Sequence, residues 1–160
     1  MRLSRQRTPL GFTLGELLLV VAIIGVLTAV ALPRFGRIRD QAQLGGAMTR
    51  LTRAVFAARQ SAIQRGKRAY FKQNNSNVWV TIDTTGNGTD SVVVTPALDL
   101  QALYGVQITA PAGLTSIEYD PRGVSTQSSK QVFRFLHIGS GREDSLCISK
   151  LGNTIREACP

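Results

Sequence analysis

Apolar positions follow three successive patterns along this chain. From Phe12 to Leu32 they run almost unbroken, and Glu16 is the only ionisable side chain in the stretch. At helical rise such a stretch spans about 32 Å, enough to cross the hydrocarbon core of a bilayer. Past Pro33, a residue that kinks or interrupts helices, Leu44, Met48, Leu51, Val55, Ala58 and Ala62 recur at spacings of four and three. That spacing predicts one apolar face of an amphipathic helix. Gly45-Gly46 weaken it locally, and Gly66 after Arg65 reads as its C-cap. The third pattern is a series of short β-rich pieces: Arg68 to Lys72, Val78 to Ile82, Ser91 to Thr95, Val106 to Thr109, Thr115 to Tyr119, Val132 to Ile138, Leu146 to Lys150 and Thr154 to Glu157. Clusters of Gly, Asn, Asp and Pro separate them. The fold class expected is α+β: a long N-terminal helix, first hydrophobic and then amphipathic, packed on an antiparallel β-sheet head, since neither layer can bury its apolar face alone.

Glu16 is the residue this pattern does not explain. A carboxylate at mid-bilayer costs about 2.5–3.5 kcal/mol, less near a helix end, so by default it is a functional group with a partner. Taken alone, an acid one turn into a helix neutralises a nearby amine at its own N-terminus and complements the helix dipole. The string Gly11-Phe12-Thr13-Leu14-Gly15-Glu16, after the arginines Arg2, Arg5 and Arg7 and before the apolar run, resembles the processing site of type IV pilins and type II secretion pseudopilins. The resemblance implies that prepilin peptidase, a membrane-embedded aspartic enzyme, cuts after Gly11 and that Phe12 becomes the N-methylated first residue. It also gives Glu16 a role in filament assembly, pairing with the α-ammonium group of a neighbouring subunit's Phe12. Gly15 stands where that family usually has a larger residue.

With the leader so identified, the chain divides into a prepilin leader (1–11), a transmembrane and filament-core helix (12–33), an amphipathic stem helix (34–66) and a β-rich head (67–160). An ordinary signal peptide is the competing reading of the N-terminus, given the arginines, the apolar run and Ala29-Val30-Ala31. It predicts a secreted soluble domain and leaves Glu16 without a purpose. Positive charge does not choose the orientation, because Arg34, Arg37 and Arg39 follow the run as closely as three arginines precede it. Cys147 and Cys159 are the only cysteines. A disulfide between them is their simplest use; it stabilises by about 3 kcal/mol in the chain-entropy model and requires an oxidising compartment. Two reduced, buried cysteines are the alternative.

Phe56-Ala57-Ala58-Arg59-Gln60-Ser61-Ala62-Ile63-Gln64-Arg65-Gly66 narrows the resemblance to the GspH/FimT-like minor pseudopilins, whose helix ends in a similar Ala-Arg-x-x-Ala-Ile sequence before the first strand. Tyr119-Asp120-Pro121-Arg122-Gly123 and Ile148-Ser149-Lys150-Leu151-Gly152-Asn153 resemble their mid-domain turn and terminal hairpin. This implies a low-abundance subunit near a filament tip. Read without the family, Arg59 lies on a solvated helix face and the two later strings are a β-turn and a hairpin turn.

The net charge of +9 is concentrated in the stem, where residues 34–72 carry ten basic side chains against Asp40. Arg59, Arg65, Lys67 and Arg68 are therefore candidate nucleic-acid contacts, able to meet phosphates without reading bases. Some FimT-like subunits bind DNA during natural transformation through a C-terminal Gly-Arg-x-Arg element; this chain has Gly152-Asn153-Thr154-Ile155-Arg156 there. Acidic neighbours in a filament or anionic lipid headgroups account for the same charge. Asp83 to Asp90 partly matches a calcium loop, but Thr85 and Val94 occupy ligand positions. His137, the single histidine, lies in a strand with no nucleophile and orienting group to complete a catalytic set. No catalytic residue, metal or cofactor is expected.

The reading that results is a non-enzymatic minor pilin or pseudopilin of a type II secretion pseudopilus or type IV pilus. It crosses the bacterial inner membrane once, with its head in the periplasm or outside, and enters a periplasmic or surface filament. Its partners are prepilin peptidase, other pilin subunits, the inner membrane and secretion cargo. A DNA-binding minor pilin of a competence pilus is the alternative, and a secreted domain the third reading.

Overall fold

The computed structural model describes residues 12–86 and 91–156. The leader with Gly11, the second half of the calcium-like loop and Cys159 lie outside the described residues. The chain divides between Ile38 and Arg39 into two units, and one helix, α1 (Leu14–Arg65), runs through the boundary. It is helical through Pro33, contrary to the expected interruption. A proline removes one amide donor, and the turns on either side can remain bonded.

In the first unit the side chains of α1 from Leu14 to Val30 face outward all round: Leu17, Leu18, Leu19, Val20, Val21, Ile23 and Ile24 are all exposed. By length and composition this part of the helix can cross a membrane. In the second unit the helix is one-sided. All six positions of the predicted stripe, Leu44, Met48, Leu51, Val55, Ala58 and Ala62, are buried, joined by Ala47 and Ala54. The helix stops where the sequence indicates: Gly66 adopts φ +60°, and the Lys67 amide reaches back to the Ala62 carbonyl at 3.3 Å. That is the long bond of a Schellman cap, and the left-handed conformation suits glycine.

Eight strands follow: β1 (Ala69–Asn74), β2 (Asn77–Asp83), β3 (Ser91–Asp99), β4 (Val106–Ala110), β5 (Leu114–Tyr119), β6 (Gln131–His137), β7 (Glu143–Ile148) and β8 (Thr154–Arg156). Each overlaps a predicted piece. They form two four-stranded sheets, in the orders β3-β2-β1-β5 and β4-β6-β7-β8, where the sequence suggested one. The division arises because β4 leaves the first group to pair with β6, while β5 returns to pair with β1. Register turns one face of each sheet inward: Phe71 stands opposite Val80 and Ile117, and Phe133 opposite Leu146. The Phe71 and Phe133 rings, one from each sheet, meet edge to face with centroids 6.0 Å apart, an arrangement favoured by the ring quadrupoles.

A short helix, α2 (Leu100–Tyr104), was not anticipated. The Asp99 carboxylate caps it by accepting from the Gln101 and Ala102 amides, and Gly105 closes it at φ 64°. Its Tyr104 ring explains Gly46 in α1. A Cβ on Gly46 would fall 2.7 Å from that ring, and Arg50 Nε donates to the Tyr104 hydroxyl at 3.1 Å.

The Asp120–Gly123 turn clamps the end of α1. Gly123 has φ +78°, and a Cβ there would lie 2.6 Å from Ile63 Cδ1. The Asp120 carboxylate organises the turn by accepting from the Val124 amide at 2.9 Å, the Arg122 amide at 3.0 Å and Arg122 Nε at 2.9 Å. The Val124 amide, with help from the Arg122 guanidinium, holds Asp120 below its ordinary value of 3.8.

Two outcomes are expected from thermal unfolding of the full chain in detergent. Gly123→Val should destabilise the head by on the order of 2 kcal/mol, through backbone strain and the collision with Ile63. Because the folded value of Asp120 is depressed, its contribution is complete above 3.8 and is lost as pH falls through the lower folded value. Asp120→Asn should therefore melt earlier than wild type at neutral pH, with the gap closing in acid.

Candidate processing and assembly site

The helix start is built by two residues acting on each other. Thr13 Oγ1 accepts from the Glu16 amide at 3.3 Å, and Glu16 Oε2 accepts from the Thr13 amide at 2.9 Å and from the Thr13 hydroxyl at 3.0 Å. This is a reciprocal capping box, which satisfies donors that would otherwise be orphaned at a helix N-terminus. Thr13 is not among the site residues predicted from sequence, although Thr13-Leu14-Gly15-Glu16 carries the Thr-x-x-Glu spacing of such a box. Phe12, the predicted new N-terminal residue, precedes the cap and is 84% exposed; Gly11 lies outside the described residues.

The four candidate phosphate contacts are not gathered into one free patch. Arg59 Nη1 donates to Asn153 Oδ1 at 3.2 Å, Lys67 Nζ donates to the Thr84 carbonyl at 2.5 Å, and Arg68 pairs with Glu118 at 3.3 Å. Arg65 is exposed in the last turn of α1. Arg59 is thus a half-buried strut and not simply a solvated side chain. It stands beside Tyr119, whose hydroxyl donates to the Gly152 carbonyl at 3.3 Å and whose pKa burial pushes up to about 12, with Arg59 pulling it slightly down. Gly152, at φ +79°, lies so close to the Tyr119 ring that a Cβ would collide with it.

His137 is also structural. The Ser140 amide donates to its Nδ1 at 3.1 Å, which leaves the proton on Nε2, 2.7 Å from Gln43 Oε1 of α1. Asp40 lies 3.9 Å from the same nitrogen. The imidazole is buried and both nitrogens are engaged, so its role here is to join the end of β6 to the helix. In the calcium-like loop, Asp83 is buried and its Oδ1 accepts from the Thr85 and Gly86 amides of its own turn. Cys147 is buried in β7 and disulfide-bonded.

Comparisons with known proteins agree with this architecture. A type IV major pilin, PilE1 of Neisseria gonorrhoeae, is 29% identical over 117 residues, covering 73% of this chain and 47% of its own length. A fimbrial protein of Pseudomonas aeruginosa is 44% identical over 57 residues, 36% of each chain. The chain thus spans less than two thirds of the length of the curated relatives it matches. The crystal structure of the type IV minor pilin FimU from Pseudomonas aeruginosa superposes with a TM-score of 0.55 at 13% identity, covering 76% of this chain and 92% of that one; it shares the fold. Residues 47–152, more than half of the chain, match the family described as Type II transport protein GspH, and the chain belongs to that family.

Proposed function

We propose that this protein is a minor subunit of a type II secretion pseudopilus or type IV pilus, a structural component and not an enzyme. The observation that carries the reading is a single capped carboxylate at the head of a helix whose next turns are apolar on every side. Such a helix needs a surrounding of lipid or of other helices, and such a carboxylate needs a cation. Prepilin peptidase cuts between Gly11 and Phe12 and methylates the Phe12 amine, and the new ammonium group is that cation. Both hydrogen bonds of the Glu16 carboxylate use Oε2, leaving Oε1 for the amine of an adjacent subunit. The apolar part of α1 holds the precursor in the inner membrane and then packs among other subunits. A Cys147–Cys159 disulfide closes the end of the head in the oxidising space outside that membrane. Cargo handling near the filament tip is the consequent work. The DNA-binding alternative has less support, since three of its four proposed contacts are tied to neighbours within the chain.

Two measurements test this. The mass of the mature N-terminal peptide from membranes should correspond to a chain beginning at methylated Phe12; a product beginning near Leu32 means a secreted domain instead. The second separates capping from charge. Glu16→Gln keeps a side chain able to complete the box, whereas Glu16→Ala loses both functions. At equal membrane levels, both variants should insert, be processed, and crosslink poorly to other filament subunits. Normal crosslinking of the Gln variant alone would reduce Glu16 to a helix cap.

A further inference from the structure

Beside the second half of α1, two adjoining hollows share Thr52, Arg53 and Thr154. One, of about 490 Å³, is also lined by Val55, Phe56, Arg59, Gly152 and Asn153; the other, of about 230 Å³, by Met48, Thr49 and Leu146. Together they form a groove with α1 as one wall and the start of β8 as the other. From Met48 to Arg59 the helix rises about 16 Å, the length of about five residues of extended chain.

Three features of the groove define what fits it. Among the described residues its charge is of one sign: Arg53 is exposed with no hydrogen-bond or ion-pair partner, Arg59 donates to the neutral Asn153 amide, and no carboxylate lines either hollow. Between the two arginines, one turn from each, stands Phe56, a large aromatic side chain that is 59% exposed. Finally, β8 is the outermost strand of its sheet, so no described strand pairs with the backbone edge it turns away from β7. Unpaired edges of this kind accept an added strand, whose main chain supplies the hydrogen bonds while alternate side chains fill pockets.

We infer that this groove docks an extended acidic peptide segment of a partner protein, laid along β8 with an apolar side chain on Phe56 and carboxylates on Arg53 and Arg59. A peptide is favoured over nucleic acid because an open strand edge complements a peptide backbone, and because Arg50, Lys67 and Arg68 are engaged elsewhere. The inference goes beyond membership in a filament and does not depend on it.

The test uses the full chain in detergent micelles and a fluorescent synthetic peptide alternating valine and glutamate, read by anisotropy. Its controls are a valine–lysine peptide and a single-stranded oligonucleotide of equal charge. The acidic peptide should bind and the basic one should not. Arg53→Glu, an exposed change that leaves the core untouched, should weaken binding on the order of tenfold or more. Arg134→Glu, the same charge reversal at an outward position of β6, should weaken it far less. Equal losses in the two variants would mean general charge attraction and overturn the inference. So would tighter, Arg53-dependent binding of the oligonucleotide, which would assign the groove to nucleic acid.

Discussion

The head depends on one packing constraint, that a single helical stripe must serve as inner surface to two sheets. Four alanines, at 47, 54, 58 and 62, lie fully or almost fully buried among the larger Leu44, Met48, Leu51 and Val55. Small side chains let a helix backbone come near its neighbours, and the larger ones fill the space beside it. The other elements are arranged around this stripe. Phe71 from one sheet and Phe133 from the other complete the core, and the two glycine turns at 123 and 152 approach the helix and Tyr119 where a Cβ would be refused. Deleting a buried ring such as Phe133 would cost about 3–5 kcal/mol, a large share of the stability of a domain this size.

Most of this was legible in the sequence, because most of it is periodic. The stripe from Leu44 to Ala62 could be read at spacings of three and four, and each strand was visible as an apolar piece between turn residues. The assembly into two sheets was not, since only β1-β2, β2-β3, β6-β7 and β7-β8 are sequence neighbours, while β1-β5 and β4-β6 are long-range pairings with no local signature. Helix α2 was missed because five residues are too few to show a period; its true signals were the bracketing Asp99 and Gly105. Gly46 was read as a weakness of the helix when it is a seat for Tyr104.

The region around Glu16 was only half legible for a different reason. Its charge in an apolar run was conspicuous, and charge points to an ionic partner. Its geometry points first to Thr13, which holds the carboxylate through two hydrogen bonds and accepts a third from the Glu16 amide. The two descriptions are compatible, since a carboxylate has lone pairs enough for a cap and a cation together. A capped acid is also cheaper to carry in an apolar setting than a bare one, because part of its lost hydration is replaced in advance.

The shortness of β8 has a dynamic consequence. Three residues pair with β7, and Ile155 in their midst is half exposed, so little apolar contact holds the strand down. The turn before it is much better fixed, by the Tyr119 hydroxyl on Gly152 and by Arg59 on Asn153. Short terminal strands open locally at free energies far below that of global unfolding. The strand is thus anchored at its turn and along β7, whose Cys147 is disulfide-bonded, and it faces a helix wall that cannot yield without breaking the core.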